Sequence, residues 1–375
     1  MPGKPDYRTL RSDRGFTWFV GTASSALWTL AEIPIRDYYL SPSACIEAYR
    51  KGRPLVRDLF GPDVRLPPVC TPLIKYGHIS TLGSTLTFPV EGEVVHCPLF
   101  ASLEEGITHL QRPVEFGKDG MAPFYLEFRK KMQEAFPEEK VRFGWQWEGP
   151  VTTAWELVGP TFMYALFEKP NLVRRFLELS TASIVEFCRF FCDVEKSGTI
   201  EPEPDQGRLC DDIAAMLAPD MWPDFVLPYW DLFYRGPVAV RRLHCEDMKP
   251  QQLQYLEQIG VRDYDPGISP KLNPKIIAAG TRVPFGWRLG SFHYSPMTCK
   301  DVKDFVYQAG ADGASYAFTY VESAMCEETS ARKVRAFISA AKELERLIDS
   351  GESREEIGRN VSPSGREKFW NHWPE

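Results

Sequence analysis

The sequence has no stretch of 18 or more uninterrupted apolar residues, and a membrane-spanning helix needs about that length. Its first residues are charged and lack the apolar core of a secretory signal. It has no excess of positive charge, since its net charge is −7, whereas proteins that bind nucleic acid present a basic surface. Its nine cysteines include no CxxC pair, which argues against a disulfide framework. We therefore expect a cytoplasmic protein that binds neither membranes nor nucleic acid.

The 375 residues are 43% hydrophobic and 25% charged, as is usual for a folded globular protein. The length suits one large α/β domain, because barrels of that class commonly exceed about 250 residues. Ten Trp, 15 Tyr and 24 Phe suit either a large apolar pocket or an aromatic core.

From about residue 140 onward, short apolar runs that end in polar residues alternate with amphipathic stretches of helical period. The strand-like runs are residues 141–147, 208–210, 237–243, 261–265, 283–289 and 314–321. This alternation is typical of parallel βα units. It predicts a (β/α)8 TIM barrel with an N-terminal extension. The predicted boundaries within this single domain are 1–69 for the extension, 70–348 for the barrel and 349–375 for a polar tail.

One predicted helix is marked by Val302, Phe305, Val306 and Ala309, which share a face. Gly310 follows them at the position of a C-cap glycine. The sequence therefore predicts that this helix ends at Gly310.

Catalytic groups of parallel barrels lie just after the strands, and ionisable residues follow five of the six strand-like runs. We predict a shared site at these strand ends. The predicted catalytic residues are Asp211, Asp212, Arg288 and His293, and the predicted substrate-binding residues are Trp147, Glu148, Asp265 and Tyr294.

The stretch RRLHCEDM, residues 241–248, places three candidate metal ligands in a row. In an extended chain His244 and Glu246 point to the same side, whereas Cys245 points away. Zinc is bound by His, Cys and carboxylate side chains. With Glu322 or Cys326 as a further ligand, the sequence predicts a Zn²⁺ site, with Cys245 as an alternative ligand.

Each candidate also has a structural interpretation. His244 can hydrogen-bond to Asp211 or Asp212 without any metal. One of these aspartates can be the N-cap of the helix that follows. His293 can equally be a structural histidine of a loop.

Several segments resemble the uroporphyrinogen decarboxylase superfamily in order and spacing, over roughly residues 70–345. They are TLGSTLTFPVEGEVVHCPLFASLEEG, EGPVTTAWELVG, KPNLVRRFLELST, DDIAAMLAPDMWPDFVLPYW and RRLHCEDMKPQQLQYLEQIG. The resemblance implies a (β/α)8 barrel with one of two chemistries. One is cofactor-free decarboxylation of uroporphyrinogen, and the other is zinc-dependent methyl transfer between a corrinoid protein and a thiol such as coenzyme M.

The methyltransferase branch binds zinc through His-x-Cys and a distant Cys. Two alignments are open: either His244 is the first ligand and Glu246 replaces the Cys, or Cys245 is the second ligand and Leu243 stands in place of the His. The decarboxylase branch carries an RQAGRY-type segment, which is absent here, and a pocket aspartate, for which FPVEG offers only Glu91.

The resemblance therefore implies metal-dependent methyl transfer from a corrinoid or a methylated small molecule to a thiol-type acceptor, with the corrinoid supplied by a partner protein. One alternative is a metal-free decarboxylase or lyase that uses Asp211, Asp212 and Arg288 on an acidic, tetrapyrrole-like substrate. Another is a non-catalytic barrel that binds a tetrapyrrole or a corrinoid. The chain is expected to be a monomer or a homodimer.

Overall fold

A computed structural model describes residues 5–200 and 208–366 of the chain. The chain divides into two compact units. The first comprises Met1–Ile33, Glu47–Pro67 and Cys245–Glu375, and the second comprises Pro34–Ile46 and Pro68–His244. Across the described residues, no helix is both long enough and apolar enough to cross a membrane.

Helices alternate with short strands along the described chain. The strands are β1 (Thr17–Thr22), β2 (Leu86–Thr87), β3 (Val95–His96), β4 (Leu209–Cys210), β5 (Arg242–His244), β6 (Asp263–Asp265), β7 (Gly286–Leu289) and β8 (Tyr316–Val321). The α-helices are α1 (Leu10–Arg14), α2 (Ser24–Leu30), α3 (Ile35–Leu40), α4 (Pro42–Phe60), α5 (Gly77–Thr81), α6 (Leu103–Leu110), α7 (Ala122–Ala135), α8 (Pro150–Val158), α9 (Thr161–Glu168), α10 (Pro170–Glu195), α11 (Asp212–Met216), α12 (Trp222–Phe225), α13 (Leu227–Tyr234), α14 (Gln254–Gln258), α15 (Pro274–Gly280), α16 (Cys299–Ala311), α17 (Glu328–Asp349), α18 (Arg354–Gly358) and α19 (Pro363–Arg366). Short 3-10 turns lie at Pro219–Met221, Pro250–Gln252, Ser291–His293 and Ser323–Met325.

The first unit is built on parallel strands. β1 lies parallel to β8, beginning with Thr17 opposite Tyr316, and β7 pairs in parallel with the other edge of β8. A parallel bridge from Tyr264 to Phe285 connects β6 to β7. The first strand of the chain is thus a neighbour of the last, although β1 falls within the predicted N-terminal extension.

One face of this sheet carries aromatic rings, because alternate residues of a strand share a face. The rings of Phe19 and Phe318 stack with centroids 4.9 Å apart, and Tyr316 and Tyr320 pack beside them. Helix α17 packs against α16 and against strand β1.

The second unit also contains parallel segments, joined by few hydrogen bonds. Cys70 bridges Arg142, and β4 lies parallel to β5 with Cys210 opposite His244. Helix α10 packs against α6, α8 and α13 and buries apolar side chains such as Phe187 along its length.

The predicted α/β class with parallel strands is confirmed. Strands β4, β6, β7 and β8 lie within the runs predicted for them, whereas residues 141–147 form only isolated bridges and β5 begins at Arg242 instead of residue 237. The sheets in the described residues are short and open, so closure into an eight-stranded barrel stays a prediction.

The predicted end of α16 at Gly310 is wrong. The helix continues through Ala311, with Asp312 as its C-cap. A Cβ on Gly310 would lie 2.6 Å from a methyl carbon of Leu344, so the glycine allows α17 to pack closely.

The segment predicted as a polar tail is partly described. Ile357 of α18 is fully buried, and Ser362 donates a hydrogen bond to Asp304 of α16 at 2.6 Å. Both α18 and α19 therefore pack on α16 within the first unit. Residues 367–375 lie outside the described residues.

Candidate active site

Asp211, after β4, is completely buried, and its side chain caps α8 instead of α11, the helix that follows it. Its carboxylate accepts hydrogen bonds from the backbone N–H groups of Val151 at 3.2 Å and Thr152 at 2.7 Å, and from Trp230 Nε1 at 2.6 Å. Val151 and Thr152 belong to the first turn of α8, whose own N-cap residue is Gly149. The side chain of Asp211 therefore supplies the cap that glycine lacks.

The two helices α8 and α11 cap each other. Thr152 Oγ1 accepts a hydrogen bond from the backbone N–H of Ile213, in the first turn of α11, at 3.2 Å. A Cβ on Gly149 would lie 2.5 Å from Asp211 Cβ, so only glycine lets the Asp211 side chain reach α8. The prediction that one aspartate of the pair is the N-cap of the following helix is confirmed in position, because Asp211 is the N-cap residue of α11. Its side chain makes no capping bond in that helix.

Three carboxylic acids follow the parallel segments of the second unit: Glu148, Asp211 and Asp212. We call them the acid cluster. Burial raises the pKa of Glu148 to about 8; the charges of Asp212 and Asp211 also raise it, while Lys75 and His244 oppose the shift. Burial raises the pKa of Asp211 to about 6, against the hydrogen bonds from Trp230 and Thr152. Groups with pKa values near neutrality are suited to proton transfer.

His244 lies at the edge of the acid cluster. Its Nε2 is 3.7 Å from a carboxylate oxygen of Asp212, and its backbone carbonyl accepts a hydrogen bond from the N–H of Asp211. The structure therefore brings together four residues that the sequence singled out: Glu148, Asp211, Asp212 and His244.

Glu156 of α8 adds a fourth carboxyl group, which the sequence analysis did not assign. Its exposed fraction is 5%, and its Oε2 has no hydrogen-bond partner among the described residues. Burial raises its pKa to about 9, and the charges of Glu148 and Asp211 contribute. A sequence signal existed, because a glutamate flanked by apolar residues in TTAWELV is unusual for a helix that packs inside a protein.

Replacing Glu156 by glutamine is expected to change how stability depends on pH. The pKa rises from 4.5 to about 9 on folding, so the folded state keeps a proton that the unfolded state releases. The stabilisation from this proton is complete below the unfolded pKa and is lost as the pH rises towards the folded pKa. Between these values, wild-type unfolding free energy should fall more steeply with pH than that of Glu156→Gln, by up to about 1.4 kcal/mol per pH unit.

The measurement is urea-induced unfolding of both proteins at about pH 5.5 and about pH 8.5, read as a difference of free energies. Glu168→Gln, on the surface of α9, is the control and should keep the wild-type slope. Equal slopes for the wild type and Glu156→Gln would show that the carboxyl group is already ionised at neutral pH.

The strand ends of the first unit hold an ion pair. An Arg288 guanidinium nitrogen lies 2.9 Å from Glu322 Oε1, and Ser291 donates a hydrogen bond to Glu322 Oε2 at 2.6 Å. The guanidinium carbon also lies 5.3 Å from the centre of the Tyr320 ring. The predicted catalytic arginine and the predicted metal ligand thus bind each other.

The remaining candidate ligands of the first unit lie apart. The Cys326 thiol is 3.5 Å from the backbone carbonyl of Glu322, and burial raises its pKa to about 11, which keeps it protonated. Cys245 is fully buried, and the Glu246 carboxylate lies against Gly267. Within residues 5–200 and 208–366, no three His, Cys, Asp or Glu side chains are grouped so that they could hold a metal ion. The donor set therefore does not fit the predicted zinc, which stays a prediction.

The other predicted residues lie mainly in packed surroundings. The Trp147 ring makes edge contacts with Phe187 and Phe191 of α10. Asp265 accepts a hydrogen bond from the N–H of Gly267 two residues later, at 3.0 Å. His293 is 8% exposed, and burial lowers its pKa to about 4, so it is neutral at physiological pH. Tyr294 is 1% exposed.

A groove of about 540 Å³ on the second unit is lined by Arg174, Arg175 and Arg235. Each arginine is paired with a carboxylate: Arg174 with Asp224, Arg175 with Glu178 and Arg235 with Asp231. The groove is therefore neutralised by its own acids, and the acid cluster is the stronger candidate for chemistry.

Comparison with known proteins supports the fold. No protein-family model matches the sequence, and no curated protein matches it either. Solved structures do match, and they place the chain in a known fold of α/β proteins. One is a methyltransferase from Methanosarcina mazei, which superimposes with a TM-score of 0.63 at 19% sequence identity, over 90% of this chain and 97% of that one.

Proposed function

We propose that this protein is a methyltransferase that moves a methyl group from a corrinoid or a methylated small molecule to a thiol-type acceptor. The observation that carries the proposal is the likeness in fold to the methyltransferase from Methanosarcina mazei, which extends over nearly the whole of both chains. The pairing of β1 with β8 is what a closed (β/α)8 barrel requires, and such barrels carry their active sites at the strand ends.

The acid cluster supplies a role that this reaction needs. A thiol that accepts a methyl group loses its proton, so a base must take that proton as the new sulfur–carbon bond forms. The bond from the methyl carbon to its donor breaks in the same transfer, and its electron pair stays on the donor. Glu148 is partly open to solvent, and its pKa of about 8 lets it accept a proton and then release it to water. Asp212 and His244 lie beside it; the charge of Asp212 raises its pKa, and the charge of His244 lowers it. We assign Glu148 as the general base.

No step in this proposal passes through zinc. The predicted ligands do not form a donor set, since Glu322 is bound by Arg288 and Ser291 and the Cys326 thiol is protonated. The decarboxylase alternative would use Arg288 on an acidic substrate, and the same ion pair occupies that arginine.

The test is turnover of the purified protein with methylcobalamin and, in separate assays, 2-mercaptoethanesulfonate and 2-aminoethanethiol as acceptors, with the methyl thioether measured by mass spectrometry. We expect thioether formation above the uncatalysed rate, and the same rate after treatment with a metal chelator. A rate equal to that without protein contradicts the proposed function. Activity that is lost on chelation and restored by Zn²⁺ would contradict only the assignment of metal-free chemistry.

A further inference from the structure

The carboxyl group of Glu156 is directed towards the acid cluster. Glu156 lies one turn after Thr152 on α8, so the two residues share a helix face. The backbone N–H of Thr152 is bound by Asp211 at 2.7 Å. Helical side chains lean towards the N-terminus of their helix, and the N-terminus of α8 is where Asp211 and Glu148 lie. The charges of Glu148 and Asp211 raise the pKa of Glu156, which places its carboxyl group, with the buried Oε2 that lacks a partner, beside these acids.

The groups around this carboxyl are mostly negative when ionised. Glu148 before α8, Asp211 after β4 and Lys75 before α5 act on its pKa, and Tyr76 also faces it. Asp212 and His244 lie one step further away, where they act on Glu148. Burial, the largest single effect, lowers the pKa of Lys75, but Glu148, Glu93, Cys210 and Tyr76 together outweigh it and raise the pKa. One lysine faces several carboxylic acids, and neither Glu148 nor Glu156 forms a salt bridge with it within the described residues.

We propose that the Glu156 carboxylate binds a protonated amine, so that the substrate of the proposed active site carries an ammonium group with N–H donors. An ammonium group can donate a charge-assisted hydrogen bond to the Glu156 carboxylate, which satisfies its buried Oε2 and leaves Glu148 free to act as the base. An organic cation fits better than a metal ion, because the described side chains form no metal-binding group. The inference names the substrate class of the proposed function, and it rests on that function only for the methyl transfer after the amine has bound.

Binding of the ammonium group is coupled to proton release. The carboxylic acid of Glu156 gives its proton to the buffer, and the carboxylate then pairs with the ammonium ion, which keeps its own protons. Burial and the neighbouring acids hold the pKa of Glu156 at about 9 in the free protein. Each rise of one pH unit below that value should therefore strengthen binding about tenfold.

The test is isothermal titration calorimetry of the full chain with methylammonium chloride at about pH 7, about pH 8 and about pH 9. We expect saturable binding whose affinity increases with pH, and a proton released to the buffer, seen as a dependence of the heat on buffer ionisation. Tetramethylammonium, which has no N–H donor, and methanol, which has no charge, should each bind at least about tenfold more weakly.

Glu156→Gln keeps the size and the hydrogen-bonding groups of the protonated acid, so it should fold, which circular dichroism can verify. It should lose at least about tenfold in affinity for methylammonium and lose the pH dependence of binding. Glu168→Gln on the surface of α9 is the matched control and should bind like the wild type.

Three results would each overturn the inference: no saturable binding of methylammonium, equal affinity in Glu156→Gln, or affinity that falls as the pH rises. None of these binding results requires turnover. A failed thioether assay with intact ammonium binding would therefore reject the proposed methyl transfer and leave the amine site standing.

Discussion

Replacing Glu148 by glutamine is expected to lower kcat/KM for methyl transfer to the thiol by a factor of about 10² to 10⁴, the usual contribution of a general base. Glutamine has nearly the same size and leaves the backbone bond from Gly149 to Cys210 in place. The side chain would still occupy the site but could no longer accept a proton. The loss should therefore appear in turnover, with the fold unchanged.

The pH profile separates a base from a group that only positions the substrate. Burial and the neighbouring aspartates set the pKa of Glu148 at about 8, and a base must be deprotonated to act. Wild-type kcat/KM should therefore rise with pH and level off above about 8, and this rise should be absent in Glu148→Gln.

Glu186→Gln, on the exposed face of α10, is the control and should keep both the rate and the profile. A Glu148→Gln enzyme with full activity, or with an unchanged rise in rate near pH 8, would remove Glu148 from the role of base.

The arrangement of the strand ends could be predicted from the sequence because it depends on local pattern. Apolar runs followed by polar residues locate β4, β6, β7 and β8, and the polar residues after them lie where parallel strands end. Asp211, Asp212 and His244 meet because β4 and β5 are neighbours, with Cys210 opposite His244.

The partners of these residues could not be predicted, because they come from distant parts of the chain. Asp211 resembles an N-cap of its own helix, yet it caps α8, which begins about 60 residues earlier. Nothing near Asp211 in the sequence encodes that contact. Gly149 has no side chain, and this leaves the space that the Asp211 side chain occupies. The sequence does not show that Gly149 and Asp211 lie next to each other.

The sequence predicts separate roles for Arg288 and Glu322, whereas in the structure the two side chains form an ion pair. Arg288 and Glu322 each follow a strand and each resembles a functional residue on its own. Because β7 and β8 are parallel neighbours, both side chains lie at the same end of the two strands, where they form an ion pair. Sequence spacing does not show this, since 34 residues separate them.

Removing the carboxylate of Asp211 is expected to destabilise the second unit strongly. In Asp211→Ala three buried N–H groups, from Val151, Thr152 and Trp230, lose their acceptor, and α8 loses its cap. Leaving buried donors unsatisfied costs about 1–3 kcal/mol each, and such losses are not additive. We expect the unfolding free energy to fall by about 3–5 kcal/mol, measured by urea titration.

Two comparisons make this expectation specific to the capping bonds. Asp212→Ala alters the half-exposed neighbour and should cost less than about 1 kcal/mol, mainly through the charge at the first turn of α11. Asp211→Asn should lie between the two, because its amide oxygen can still accept from Thr152 while its NH₂ group faces another donor. If Asp211→Ala were no more destabilising than Asp212→Ala, the reciprocal capping of α8 and α11 would not be what stabilises this site. The burial of Asp211 within the acid cluster would then have a cause other than helix capping.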